Sequence, residues 1–395
     1  MSNSEIVIVG GGILGLTLAR ELLGRGRDVL VLEKEGGLGV HASGRNSGVL
    51  HAGIYYAPDS RKASTCLRGN RLMKRYCREK GLPLEESGKV IVASGEAELD
   101  VLDELHRRAL ACGADVAAID EAELAELEPH AVTTDRALHS RETAVVSPKA
   151  ILHSLAGDIQ AMGGRIRHGA RVADRRGDTG LRLADGELVG FDLLINCAGA
   201  FAEKLAHLFG AGREYRVLPF KGTYRKLRSG REKFCRSSIY PVPDIRNPFL
   251  GVHFTRSVDG DVYLGPTALP CLTREAGGSP GAEAVSILAR EARLFAVNPR
   301  FRAVALAEPR KYLTRFFLRD AQKLVPSLRP EDVEPSAKFG IRPQLVDTRT
   351  NELVMDFVME EAETSLHVLN AISPAFTSSM ATARDIADRL ESIAA

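Results

Sequence analysis

The sequence predicts a mixed α/β fold: a Rossmann-type βαβ unit opens the chain, and a strand-rich middle supplies a second, mixed or antiparallel sheet. Three observations predict it. Glu5-Ile6-Val7-Ile8-Val9 is an apolar, β-branched run of the kind buried on both faces of a parallel sheet. Gly10-Gly11-Gly12-Ile13-Leu14-Gly15 follows, leading into an amphipathic stretch to about Gly26, and Asp28-Val29-Leu30-Val31-Leu32-Glu33 reads as a second buried strand. A strand, glycine turn, helix and strand in that order need a crossover, which implies parallel pairing. Finally, helical patterns at 59–80, 96–112, 148–162, 282–295 and 375–393 alternate with strand-like runs at 89–93, 191–196, 216–227, 250–256 and 261–264.

Composition bounds the function. A chain of 395 residues has room for two or three domains, and 53 Lys+Arg against 51 Asp+Glu leave a net charge of +2, which disfavours nucleic acid as a partner. The longest nearly apolar run, Ile6–Ala19, carries four glycines and is too short to span a bilayer. Met1-Ser2-Asn3-Ser4-Glu5 lacks the basic start of a signal peptide, so a cytoplasmic protein is expected. Six cysteines without a Cys-x-x-Cys suggest neither a zinc cluster nor a disulfide framework, and no metal is expected. Arg274–Pro280 reads as a mobile surface loop.

Chemistry concentrates in three places. Gly10-x-Gly12-x-x-Gly15 has the spacing of a dinucleotide turn: one glycine for the turn, one for approach of a pyrophosphate, one for helix–strand packing. Glu33 stands 18 residues after Gly15, where a carboxylate holds a ribose hydroxyl. The motif does not choose between NAD and FAD. Asp192–Gly199 is a buried strand ending in Ala198 and Gly199, small enough for backbone to approach a cofactor. The segment Ser43–Tyr56 holds three glycines, hydroxyls, Arg45 and His51 directly after Glu33, which suits packing against a planar ring system.

Asn46-Ser47-Gly48-Val49-Leu50-His51-Ala52-Gly53-Ile54-Tyr55-Tyr56 is similar to N-S-G-V-I-H-x-G-x-Y-Y, and Pro219-Phe220-Lys221-Gly222 to P-F-R-G. Further matched blocks are Ile239–Asp244 through Pro248–Arg256, Gly340-Ile341-Arg342-Pro343-Gln344 and Asn370–Ser379. On these blocks, nearly end to end, the chain resembles the D-amino-acid-oxidase-like superfamily of FAD oxidoreductases, and within it the L-2-hydroxyglutarate dehydrogenase/oxidase family. The resemblance implies an FAD domain from 1–83, 145–214 and 335–395, with a substrate domain from 84–144 and 215–334. It also implies oxidation of L-2-hydroxyglutarate to 2-oxoglutarate. Departures fall inside the blocks: Arg45 for a usual His, Thr267 for Asn, Lys338-Phe339 for Pro-Ala, and Ile372 and Phe376 for Pro and Ala.

Within that resemblance, a hydroxy acid needs a hydride acceptor, a base and cations for its carboxylates. His51 and His253 are the candidate bases. Arg256 and Arg342 are the candidate carboxylate anchors, with Lys221 and Tyr240 as further donors. Gly10, Gly12, Gly15, Glu33, Arg45, Asn46, Ser47, Gly48, Ala198, Gly199, Gly340, Ser373 and Pro374 are expected to hold FAD, with the Ser373-Pro374 step offering helix-start amides to the flavin. The expected partners are a small dicarboxylate hydroxy acid and O2 or a quinone as electron acceptor. A peripheral contact with the inner face of the membrane is left open. Alternatives are another small hydroxy or amino acid as substrate, an NAD-dependent dehydrogenase, and a non-catalytic flavin-binding protein.

Overall fold

A computed structural model describes residues 2–244, 249–275 and 277–394. Pro248 of the matched block and Ala276 of the expected loop lie outside these residues. The first strand, Ser2–Val9, pairs in parallel with Val29–Leu32 on one side and Leu188–Asn196 on the other. The sheet they centre has eight strands, extended by Arg165–Arg167 at one edge and by the hairpin-forming strands Val172–Arg175 and Gly180–Leu183 at the other. Ser365–Val368, from the far end of the chain, also pairs in parallel with Leu188–Asn196.

Both faces of this sheet are covered, which explains why its strands read as unbroken apolar runs. Ile6 and Ile8 face a core with Leu16, Leu22, Ile151 and Ile386, while Val7 and Val9 face another with Leu181, Leu205 and Phe209. On the first face the helix Ile13–Gly24 packs against the last helix, Ala375–Ala394, which packs in turn on Arg61–Lys80. The crossover after the first strand is tight. Gly10 has φ of +113°, and a Cβ there would lie 2.3 Å from the Cys197 carbonyl oxygen.

The second sheet has ten strands and is antiparallel except where Ser238–Pro241 runs parallel to Lys89–Val92. Its longest pairing joins Tyr215–Leu227 to Val333–Asp347, register Tyr215↔Asp347 through Leu227↔Val333. Val333–Asp347 was not expected as a strand. Pro335, Gly340 and Pro343 interrupt its pattern, yet its other side is paired only at Val346 and Asp347, so most of it is an edge where proline costs no ladder bond. This strand is hydrogen-bonded into the larger sheet, and the division into an FAD domain of 1–83, 145–214 and 335–395 and a substrate domain of 84–144 and 215–334 stands as a proposal. A third, three-stranded sheet pairs Ala144–Val146 with Val49–Leu50 on one side and Leu84–Glu85 on the other.

Candidate active site

The carboxyl ends of the parallel strands open on a cleft of about 520 Å³ lined by Gly10, Gly11, Gly12, Glu33, Ala198 and Gly199. The glycines divide their work as the motif implies. A Cβ on Gly15 would lie 2.0 Å from the Gly10 carbonyl oxygen, so helix and strand touch there. A Cβ on Gly12 would meet only the Ser43 hydroxyl, at 3.0 Å, so its backbone faces the cleft. Glu33 is held at the strand end: its carboxylate accepts from the Gly11 amide at 2.8 Å and the Glu35 amide at 2.9 Å. The Ile13 amide, exposed at the helix start because Gly12 has no capping side chain, donates to Ser43 Oγ at 3.0 Å. Bare backbone, a helix N-terminus and an anchored carboxylate fit the pyrophosphate and ribose of a dinucleotide.

At the mouth of this cleft Glu35, His41 and Glu275 cluster around the Lys34 ammonium. Glu275 comes from the segment expected as a mobile loop, and its neighbour Arg274 is buried in a pair with Glu203. Arg274 and Glu275 are therefore tied down on the cleft wall, while residues 277–280 of the same segment are exposed.

A second cavity of about 260 Å³ shares Ser43, Arg45 and Ile341 with the first, so the two adjoin. Its wall brings together His51, Tyr240, His253 and Arg342, with Asn46, Ser47, Gly340, Ser373 and Pro374. Gly48 is not on the wall. It is a turn residue at φ +78°, its amide donating to Asn46 Oδ1 at 2.8 Å.

Two further nominated residues are not brought here. Arg256 lies three positions after His253 on one strand, and side chains alternate, so it faces away. Its guanidinium is 3.7 Å from Glu85. Lys221 likewise alternates with Phe220 and Gly222, which line the cavity, and its ammonium sits 4.8 Å from the Phe339 ring centroid.

The histidines are set up as neutral rings. His253 Nδ1 lies 2.8 Å from the Gly251 carbonyl, which can only accept, so Nδ1 carries the proton and Nε2 the lone pair. The ring stacks on Tyr240 at 3.9 Å between centroids. Burial pushes the His253 pKa down to about 4, despite the Gly251 bond, and the Lys89 charge acts in the same direction. Burial, then Lys89 and His253, push His51 down to about 3, and its Nδ1 is buried without a hydrogen-bond partner. Its backbone is fixed: the amide donates to Thr377 Oγ1 at 3.2 Å and the carbonyl accepts from Asn70 Nδ2 at 3.2 Å. The Arg342 guanidinium, its pKa lowered by burial to about 10, lies 5.1 Å from the Phe249 ring centroid.

Sequence reasoning missed Lys89. It is fully buried, donates to the Tyr55 hydroxyl at 3.1 Å, and lies 4.5 and 4.8 Å from the Tyr55 and Tyr240 ring centroids. Burial lowers its pKa to about 7. Lys62 was missed too; burial and the Arg342 charge lower it to about 7, against the pull of Asp356. Tyr55 sat in a quoted block, but nothing in the sequence marked either lysine as buried.

Fold and site define the class: an oxidoreductase built on a dinucleotide cleft, with a second cavity adjoining it. Residues 5–389 match the family model for FAD-dependent oxidoreductases, and the chain belongs to that family, whose cofactor is FAD. It is 34% identical to the mitochondrial L-2-hydroxyglutarate dehydrogenase of Bos taurus, covering 99% of this chain and 89% of that one. It is 37% identical to the corresponding enzyme of Caenorhabditis elegans, covering 97% and 92%. Among solved structures it is similar to the FAD-bound L-α-glycerophosphate oxidase of Mycoplasma pneumoniae, with a TM-score of 0.77, 25% identity and coverage of 97% and 94%.

Proposed function

We propose that this protein oxidises a small L-2-hydroxy acid, L-2-hydroxyglutarate first among them, to the 2-oxo acid, with FAD as the cofactor that would accept the hydride. The observation that carries this reading is the joining of two neutral histidines and a buried arginine in one cavity that adjoins the dinucleotide cleft. The names of the relatives in Bos taurus and Caenorhabditis elegans supply the choice of acid.

Gly12, Glu33 and the start of the helix Ile13–Gly24 would hold FAD, which when bound would supply the hydride acceptor. Arg342 grips a substrate carboxylate with two parallel hydrogen bonds and so fixes the C2 carbon. His253 Nε2 takes the hydroxyl proton, since its Nδ1 is already committed to Gly251. His51 completes the polar wall. Arg256 and Lys221 take no part, because both face other neighbours. The electron acceptor that completes the cycle is O2 or a quinone, with station at the inner face of a membrane as part of the same proposal.

Turnover with an artificial electron acceptor tests the reading. L-2-hydroxyglutarate is expected to yield 2-oxoglutarate, while D-2-hydroxyglutarate and L-amino acids give no turnover. Turnover of an amino acid alone, with release of ammonia, would refute both the substrate and the role given to His253.

A further inference from the structure

A segment that leaves the ten-stranded sheet crosses to the mouth of the dinucleotide cleft. After the short strand Leu269–Pro270, which pairs with Tyr215–Leu227, Cys271–Glu275 runs to the cleft wall. Arg274 and Glu275 arrive there beside Lys34 and His41, which follow the strand Val29–Leu32, and beside Phe201 and Lys204, which follow Leu188–Asn196. The segment therefore ties the two sheets together along one wall of the cleft. It is fastened at two points, and both rest on one ring: the Phe201 centroid lies 5.7 Å from the Arg274 guanidinium and 5.5 Å from the Lys34 ammonium.

The two fastenings differ in character. Arg274 donates to Glu203 twice, from Nη1 to Oε2 at 2.8 Å and from Nη2 to Oε1 at 2.5 Å, and its Nε donates to Glu283 at 2.8 Å. The paired side chains are 4% and 1% exposed, and parting them would leave a buried charge uncompensated, so this end stays shut. At the other end Glu275 and Glu35 share the Lys34 ammonium, and His41 Nε2 lies 3.2 Å from Glu275 and 2.8 Å from Glu35. These four side chains are 26–31% exposed, so water competes for every contact and each pair is weak by itself. Without the ammonium the two carboxylates repel. The Glu35 amide in turn donates to the Glu33 carboxylate at 2.9 Å, which joins this fastening to the group that fits a ribose hydroxyl.

We propose that Glu275 and Lys34 are the latch that retains FAD in its cleft: the cofactor enters and leaves when Glu275 parts from Lys34, while Arg274 stays on Glu203. Both are positioning residues that act through each other, and neither is assigned a contact with the cofactor. The proposal goes beyond the function above and rests on FAD as the cofactor, not on the substrate. One buried anchor and one wetted anchor on the same short segment let it open at one end without leaving the molecule. Opening at Glu275 also frees Glu35, and with it one of the two amides that hold Glu33.

The rate at which the holoenzyme releases FAD on dilution, followed by the flavin fluorescence, tests the latch without any turnover. Glu275→Lys sets two ammonium groups against each other and should speed release at least about fivefold. Raising the salt should narrow that gap, because the groups are exposed enough to be screened. Lys34→Glu combined with Glu275→Lys restores an opposite-charge pair and should bring release back to within about twofold of the parent. That return also shows that the single variant lost a latch and not its fold. Arg141→Asp breaks an exposed pair with Asp115 that lines neither cavity, and should release FAD at the parent rate. Unchanged release in Glu275→Lys, a double variant as fast as the single one, equal acceleration in Arg141→Asp, or a flavin that no variant releases would each overturn the proposal.

Discussion

The role proposed for His253 rests on one hydrogen bond and one environment. The Gly251 carbonyl fixes the tautomer, and burial keeps the ring neutral. Removing the base in His253→Gln should slow flavin reduction by about 10² to 10⁴-fold while substrate binding changes little, as read by rapid mixing without oxygen. Because the proton acceptor must be neutral, a pKa near 4 keeps the rate flat as pH falls through 6.5. Lys89 helps hold that value down, so Lys89→Met is expected to raise the acidic limb toward 6.5 with FAD content unchanged. An unmoved limb would show that Lys89 only fills space. The same shifts bear on stability. Both histidines have folded-state values below the ordinary 6.5, so the unfolded chain binds more protons and stability is lost as pH falls from 6.5 toward 4. Denaturant midpoints at pH 7 and pH 5 should therefore differ, and differ less in the His51→Gln/His253→Gln variant. At this scale the histidines and Arg342 were legible because they stand in ordered motifs. Arg256 was misplaced because strand parity, not proximity in sequence, decides which side chains share a face.

The first βαβ unit could be read almost residue by residue, since burial on both faces and the glycine turn both leave marks in the sequence. Gly15→Ala tests how close that packing is. Its Cβ would meet the Gly10 carbonyl oxygen at 2.0 Å, so backbone must move, at a cost of about 1–3 kcal/mol or more. Lower FAD occupancy and a lower thermal midpoint are expected; an unchanged protein would mean the helix is not seated as described. Val333–Asp347 was illegible for the opposite reason. Its prolines and glycine deny a strand locally, and only pairing with Tyr215–Leu227 and its edge position make it one.

Over the whole molecule the cavity is assembled from remote parts of the chain. His51 follows the dinucleotide unit, Tyr240 and His253 come from the middle sheet, and Arg342 and Ser373 return from the end. Motif order could announce these parts, but the burial of Lys89 and Lys62 depends on contacts that arise only when the parts meet. The most direct test of the resulting chemistry is anaerobic mixing of the yellow protein with L-2-hydroxyglutarate, unlabelled and deuterated at C2. Bleaching of the flavin absorbance by the L enantiomer alone, slowed several-fold by deuterium, is the expected result. A flavin that stays oxidised with every L-2-hydroxy acid, yet bleaches with an amino acid, would contradict it.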